Sequence, residues 1–162
     1  MKREYPDAPV AAVGVVVLNG DEVLLVRRGK EPRRGRWSLP GGAVELGETV
    51  RQAGQREIRE ECDVEVRATE VIEVLDAISP DGDGRVRFHY VLTELLAEYL
   101  GGTPSAHSDA LEVRWFSLED LDGIDILPMS TRIIREGAEL RRRMASGALP
   151  TEGRAWQSEF WS

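Results

Sequence analysis

The sequence predicts an α+β protein in which a mixed β-sheet lies between helices as an α/β/α sandwich. Two observations support this class: apolar runs with strand-like alternation are separated by turn residues, and two segments with helical periodicity lie among them. At 162 residues, 41% of them hydrophobic, the chain has the size of one domain with its own core. We therefore expect a single domain over residues 1–146, followed by a tail over residues 147–162 that docks on the domain or on a dimer partner.

The first predicted element is a β-hairpin. Two apolar, β-branched runs, residues 11–18 and 23–26, are joined by Asn19-Gly20, and Asn-Gly between such runs is a strong hairpin signal. The next ten residues, 27–36, are basic and contain Gly and Pro. This composition predicts a loop that faces solvent or an anion.

A helix is predicted directly after the glycine-rich segment. Thr49 followed by Gln52 matches a capping box, in which each residue satisfies a backbone N–H of the other. Apolar or small side chains then recur every fourth residue, as expected for the buried side of a helix. The helix is predicted over residues 49–62.

The second half of the chain alternates strand and helix signals. Residues 64–78 and 85–96 have the alternating apolar pattern of two strands around a Gly-rich and Asp-rich turn. Residues 111–116 predict a further short strand, and residues 118–121 a helical turn. Residues 130–144 predict an amphipathic helix, because its apolar side chains fall on one side.

Three carboxylates on the first helix carry the strongest functional signal. Glu57, Glu60 and Glu61 stand at i, i+3 and i+4, so they project from one face and repel one another unless a positive charge lies among them. Oxygen-only sites of this kind suit Mg²⁺ or Mn²⁺, which share their remaining positions with water and substrate phosphates. For the three residues taken alone, the alternative is a solvated acidic face.

The segment around these carboxylates closely resembles the Nudix box, the signature of the Nudix hydrolases. Residues 42–64, GAVELGETVRQAGQREIREECDV, match eight of the nine specified positions of that box. The departure is Asp63, where the family has Gly at the end of the helix. A left-handed backbone is expected there, and Asp adopts it at small cost because its side chain bonds locally. The hairpin and the segments 37–41 and 115–121 also resemble the family, so about two thirds of the chain is covered.

The resemblance implies a Nudix α/β/α sandwich and a catalytic site built on the box. It implies that a catalytic Mg²⁺ ion, with Mn²⁺ as the alternative, is coordinated by the Gly41 carbonyl and the carboxylates of Glu57, Glu60 and Glu61. Arg56 and Glu48 are expected to form an ion pair that orients the helix and the preceding loop. The general base varies within the family, so Glu57, Asp109 and Glu112 all stay candidates.

The substrate is left to residues outside the box. The segments around Trp37 and Asp109 look most like the ADP-ribose pyrophosphatase branch, which implies hydrolysis of ADP-ribose to AMP and ribose 5-phosphate. The alternatives are a nucleoside triphosphate pyrophosphatase, including the type that removes oxidised purine nucleotides, a non-catalytic nucleotide sensor, and a structural or metal-buffering domain. The candidate substrate contacts are Arg27, Arg36, Trp37, Asp109 and Glu112. For the arginines the alternative is solvated charge, and for Trp37 it is a place in the core.

Composition limits the partners. With 21 basic and 29 acidic residues the net charge is −8, which disfavours nucleic-acid polymers and leaves a small nucleotide as the expected ligand. No apolar stretch is long enough to span a membrane, and Cys62 is the only cysteine, so we expect a soluble, cytoplasmic protein. Because Nudix proteins often form dimers, a homodimer is expected, and aromatic tail residues such as Trp156 and Trp161 are candidates to anchor it.

Overall fold

Two helices enclose a seven-stranded sheet in the computed structural model, which describes residues 1–147. The strands are β1 (Val10–Asn19), β2 (Glu22–Arg28), β3 (Trp37–Ser38), β4 (Gly41–Ala43), β5 (Glu65–Pro80), β6 (Val86–Gly101) and β7 (Ala110–Ser117). The helices are α1 (Val50–Cys62) and α2 (Pro128–Ala145), and a 3₁₀ turn covers Leu121–Gly123. The predicted α+β class is confirmed. Apart from Gly147, the predicted tail with Trp156 and Trp161 lies outside the described residues.

Strand β1 organises the sheet. All of it except Asn19 pairs in parallel with β6, from Val10 opposite Tyr90 to Leu18 opposite Glu98. Its other edge is shared: β4 pairs with its first half and β2 only with its last two residues, Leu18 and Asn19, both antiparallel. Strands β3 and β7 pair with β2, and β5 pairs with β6. Because β1 and β2 diverge after the hairpin, β4 lies where a regular hairpin would have continued.

Helix α1 begins and ends as predicted. The Gln52 amide donates to the Thr49 hydroxyl at 3.2 Å, and the Thr49 amide donates to the Gln52 side-chain oxygen at 2.9 Å, which completes the capping box. At the other end Asp63 has φ 58° and ψ 36°, the left-handed conformation expected where the Nudix box has Gly. Its amide donates to the Arg59 carbonyl, so the last turn of the helix is closed.

The predicted hairpin, strands and helices are all present, with shifted ends. Strands β5 and β6 have 16 residues each and extend beyond the predicted ranges. The basic segment predicted as a loop over residues 27–36 begins inside β2, which continues through Arg28. The helical turn predicted over residues 118–121 lies later, at Leu121–Gly123, and α2 begins two residues early, with Pro128 in its first turn. None of the helices within residues 1–147 is long and apolar enough to cross a membrane.

The two helices cover opposite faces of the sheet. Gly54 of α1 packs so tightly that a Cβ there would lie 2.9 Å from Leu95 Cδ1 and 3.2 Å from Val15 Cγ2. Gly137 of α2 faces Val16 instead, at 3.3 Å from Cγ1 by the same measure. Because side chains alternate along a strand, the even-numbered residues of this part of β1 and β6 face α2.

One acidic side chain is buried under α2. Glu94 of β6 is only 4% exposed, and its Oε2 has no hydrogen-bond partner among the described residues. Its carboxyl group occupies the space that a Cβ at Gly14 would take. Burial, aided by the charge of Glu73 and opposed by that of Arg132, raises the pKa of Glu94 to about 7. Ionised Glu94 is therefore costly in the folded state.

This burial gives the protein a pH-dependent stability. Because the pKa of Glu94 rises from 4.5 to about 7 on folding, the folded state keeps a proton that the unfolded state has lost. The free energy of unfolding should therefore fall as the pH rises from 4.5 to about 7, and Glu94→Gln should remove on the order of 2 kcal/mol of that fall. Urea unfolding across this range in metal-free buffer tests this. Glu22→Gln, at an exposed position, serves as the control, and parallel curves for wild type and Glu94→Gln would contradict it.

Candidate active site

Arg56 connects the acidic residues of α1 to the loop before it. Its Nε and Nη2 donate to the two oxygens of Glu48 at 2.6 and 3.0 Å, which forms a bidentate ion pair. Nη1 donates to Glu57 at 2.8 Å and to Glu60 at 3.1 Å, and Nη2 also donates to the Ala43 carbonyl at 3.0 Å. The hydrogen bond from Arg56 lowers the pKa of Glu48, while the Glu48 carboxylate raises that of Arg56. The expected pairing of Arg56 with Glu48 is therefore seen directly.

Two carboxylates of α1 converge on the glycines of β4. A Cβ at Gly42 would overlap the carboxyl group of Glu57, so only glycine leaves room for this side chain. The Gly41 amide donates to Glu61 Oε2 at 3.3 Å. Gly41 and Gly42, the start of β4 and called the glycine turn below, thus hold Glu57 and Glu61 beside each other at the edge of the sheet.

The negative charges of these two carboxylates are only partly balanced by neighbouring cations. Burial, followed by the charge of Glu57, raises the pKa of Glu61 to about 7, and Asp109 adds to the shift while Arg28 opposes it. Burial also raises the pKa of Glu57, although its hydrogen bond from Arg56 acts in the opposite direction. Two neighbouring acids whose ionised forms are disfavoured are suited to a positive ligand.

The third carboxylate is placed differently. Glu60 has a side chain that is 53% exposed and accepts from Arg56. Within residues 1–147 no three Asp, Glu, His or Cys side chains are gathered closely enough to hold a metal ion. The three carboxylates expected to act together are therefore not gathered into one cluster in this conformation: Glu57 and Glu61 converge on β4, while Glu60 accepts from Arg56.

The donor set nevertheless fits a hard cation. Glu57 and Glu61 offer carboxylate oxygens, and the glycines of β4 have no Cβ in the way. A divalent cation held there would neutralise the charge that develops on a diphosphate during cleavage. The protein itself positions the acids, and Arg56 fixes helix α1 to the preceding loop through its contacts with Glu48 and the Ala43 carbonyl.

The predicted basic contacts are engaged within the protein. Arg27 lies opposite Glu112 in the β2–β7 pair, with Nε 3.4 Å from the carboxylate. Arg36 donates to Asp125 at 2.9 Å and to the Ile126 carbonyl at 3.1 Å. In this conformation Arg36 connects the basic loop to the segment before α2 instead of pointing freely at a ligand.

Asp109 lies near the pair of carboxylates formed by Glu57 and Glu61. Its carboxylate is 2.8 Å from Lys30 Nζ, and its carbonyl accepts from the Gly29 amide at 2.9 Å. Its charge contributes to the raised pKa of Glu61. Glu112, by contrast, is paired with Arg27 and Arg114.

Trp37 belongs to the core. It is 8% exposed and packs edge-to-face on Phe116, with ring centroids 4.7 Å apart. A stacking role for Trp37, one of the two roles left open by the sequence, is not available to a ring buried in this way. The sequence gives no sign of the contact with Phe116, which lies 79 residues further along the chain.

The burial of Glu94 was not predicted. The signal that could have found it is a lone acid in the apolar run over residues 91–96. A charged residue in such a run is buried unless the strand lies at the surface, and buried acids need an explanation.

An acidic helix facing a glycine turn at the edge of a mixed sheet is the arrangement expected of an enzyme that acts on phosphates through a cation. The chain belongs to the Nudix hydrolase family, since the family model described as NUDIX domain matches residues 8–136.

Known proteins with similar sequences carry different substrate names. The chain is 35% identical over 113 residues to a protein of Methanocaldococcus jannaschii named ADP-ribose pyrophosphatase, which covers 70% of this chain and 64% of that protein. It is 36% identical over 118 residues to a Mycobacterium tuberculosis protein named putative 8-oxo-dGTP diphosphatase 2, covering 72% of this chain and 79% of the relative. The chain thus spans less than two thirds of the archaeal protein's length.

The fold is also found in solved structures. The structure of a MutT NUDIX hydrolase from Burkholderia pseudomallei superimposes with a TM-score of 0.69 at 29% identity, over 80% of this chain and 98% of that one. The observed α/β/α sandwich is therefore the Nudix fold.

Proposed function

We propose that this protein hydrolyses the diphosphate bond of a nucleoside diphosphate derivative with Mg²⁺, and that its substrate is ADP-ribose, cleaved to AMP and ribose 5-phosphate. In this reaction the oxygen of water bonds to one phosphorus, the bridging P–O bond breaks, and the bridging oxygen leaves with the other phosphate. The observation that carries the proposal is the pair of half-buried carboxylates, Glu57 and Glu61, held against the glycines Gly41-Gly42 of β4.

The residues divide into cation ligands and supports. Glu57 and Glu61, with the Gly41 carbonyl, would hold Mg²⁺ or Mn²⁺, and Glu60 would join them on leaving Arg56. Arg56 and Glu48 keep α1 and the preceding loop in register through their bidentate pair.

Two candidates for the general base are proposed, Glu57 and Asp109. Asp109 is favoured over Glu112 as the late acidic residue because its charge reaches Glu61 and it pairs with Lys30 alone, whereas Glu112 pairs with two arginines. A base must reach the attacking water, so proximity to the acidic pair is the first requirement.

The substrate choice has one main alternative. The name of the archaeal relative supports ADP-ribose. The name of the mycobacterial relative supports a nucleoside triphosphate that carries an oxidised purine. A nucleotide sensor without hydrolysis is the third possibility, and the complete set of acidic box residues argues against it.

Turnover of a small substrate panel separates these possibilities. Purified protein should release AMP from ADP-ribose, measured by chromatography, with Mg²⁺ or Mn²⁺ present and not after chelation. Faster cleavage of 8-oxo-dGTP would favour the triphosphate function instead. A ligand-induced rise in melting temperature without turnover of any panel member would favour the sensor and overturn the hydrolase proposal.

A homodimer is also proposed, and the outer part of the β5–β6 hairpin supports it. Large apolar side chains there are more than a third exposed, namely Val74, Ile78, Val86 and Val91. An exposed apolar surface on this two-stranded part of the sheet suits contact with a second copy of the chain.

A further inference from the structure

The segment that precedes β1, residues 1–9, is fastened to the β5–β6 hairpin. The Tyr5 amide donates to the Arg87 carbonyl at 2.7 Å, and the Tyr5 hydroxyl donates to Asp81 at 3.0 Å. Glu4 accepts from Arg87 Nε at 2.7 Å. These contacts fix the path of the segment on both sides of the Glu4–Tyr5 peptide bond, so the residues just before them have a defined place.

The first residues of this segment lie close to the strand that carries the glycine turn. Met1 and Lys2 line one cleft together with Ala11 of β1. The Ala11 carbonyl accepts from the Val44 amide at 3.0 Å, and Val44 directly follows β4. Arg3 comes directly after Lys2, and consecutive Cα atoms are only about 3.8 Å apart. The backbone of Arg3 therefore lies beside the part of β1 that pairs with the glycine turn.

The side chain of Arg3 reaches towards the carboxylates of α1. Burial raises the pKa of Glu57, and the positive charge of Arg3, like that of Arg56, opposes this rise. Exposed charges more than about 10 Å apart are largely screened by salt, so an exposed arginine acts on Glu57 only from nearby. Because Glu57 belongs to α1, Arg3 lies on the α1 side of the sheet, where the carboxylate pair is.

Arg3 has its hydrogen-bond donors free. Its neighbour Lys2 has Nζ 3.8 Å from Asp7, whereas the exposed guanidinium group of Arg3 has no ion pair or hydrogen bond within residues 1–147. Arg56, the other cation that acts on Glu57, donates to glutamates and to a backbone carbonyl. Of these two arginines, Arg3 is the one that can bind a ligand without breaking a contact of the protein.

We propose that Arg3 binds a phosphate group of the nucleoside diphosphate substrate beside the glycine turn. The proposal rests on the proposed function, since it assumes that the diphosphate lies next to Glu57 and Glu61. These carboxylates repel an approaching anion, so a positive side chain at the entrance favours its binding. A guanidinium group offers several N–H donors in a planar fork that matches the oxygens of a phosphate group.

Steady-state kinetics of Arg3→Gln tests this contact. KM for ADP-ribose should rise by about tenfold or more while kcat changes little, because the contact is present before and during the reaction. Arg3→Lys should recover only part of the loss, since an ammonium group lacks the fork. The melting temperature should stay unchanged, because the side chain makes no contact that supports the fold.

Lys2→Gln is the matched control, because it removes one positive charge from the neighbouring residue. It should leave KM close to that of wild type. A wild-type KM in Arg3→Gln, or an equal rise of KM in both variants, would mean that Arg3 is only a solvated charge and would overturn the proposal.

A binding measurement separates this proposal from the proposed function. If wild type hydrolyses none of the panel substrates, the proposed function fails, and calorimetric titration with ADP in the presence of Mg²⁺ then tests Arg3 alone. Binding of ADP that is about tenfold weaker in Arg3→Gln than in wild type and Lys2→Gln supports the proposal. Equal affinities of these proteins for ADP, or no binding of ADP by wild type, refute it.

Discussion

Replacing Glu57 by Gln should lower kcat for Mg²⁺-dependent hydrolysis by about a thousandfold, which corresponds to about 4 kcal/mol of transition-state stabilisation. Glu57 lies against Gly42 and beside Glu61, so it is both a proposed cation ligand and a candidate base. Gln keeps the size of the side chain and an oxygen that accepts from Arg56. The fold should therefore survive while the negative charge is lost.

Glu65→Gln is the matched control for this substitution. Glu65 begins β5 just after α1, and its carboxylate pairs with Arg59 at the surface. Steady-state kinetics over a range of Mg²⁺ concentrations should show near-normal kcat for this variant. If Glu57→Gln also had normal kcat at saturating Mg²⁺, the proposed role of Glu57 in the reaction would be wrong.

Replacing Arg56 by Ala should lower the free energy of unfolding by about 3 kcal/mol or more, because the change leaves partly buried acids without their cation. The side chains of Arg56 and Glu48 are each 17% exposed, and that of Glu57 is 12% exposed. Arg56→Lys should recover little of the loss, since an ammonium group cannot form the bidentate pair with Glu48 and also reach the Ala43 carbonyl.

Arg59→Ala, on the same helix, provides the comparison. Arg59 also makes a two-point contact with a glutamate, Glu65, but both side chains are more than half exposed. Exposed pairs of this kind contribute little to stability, because water screens their attraction. Urea unfolding of both variants should therefore show a clear difference, and equal small losses would contradict the idea that Arg56 braces the site.

Local signals account for the parts of the fold that were predicted. The Asn19-Gly20 turn, the capping box at Thr49 and the left-handed Asp63 are each encoded within a few residues, so the hairpin and the limits of α1 follow from the sequence. Strands β3 and β4 have two and three residues and little β-branched character. They exist because β1 and β2 offer them unpaired edges, and such edges appear only after the sheet is assembled.

The candidate site also combines features that follow from local sequence with features that depend on tertiary contacts. The pairing of Arg56 with Glu48 follows from fixed spacing in the Nudix box, and the structure contains it. The placement of Arg36 was not predictable, since its partner Asp125 is 89 residues away. The hydrogen bonds from Arg56 to Glu60 also depend on rotamers, which spacing does not specify. The sequence therefore predicts which acids form the site, and the tertiary contacts decide which of them meet.

The shared edge of β1 gives the two parts of the candidate site different anchors in the sheet. The glycine turn is fastened to β1 through β4, whereas the basic loop, β3 and β7 are fastened to β2. The two anchors are joined by the short connection Leu39-Pro40 and by the hydrogen bond from Gly29 to Asp109. Residues 30–35 are exposed. We therefore expect insertions and charge changes within residues 30–35 to be tolerated better than changes in β4 itself.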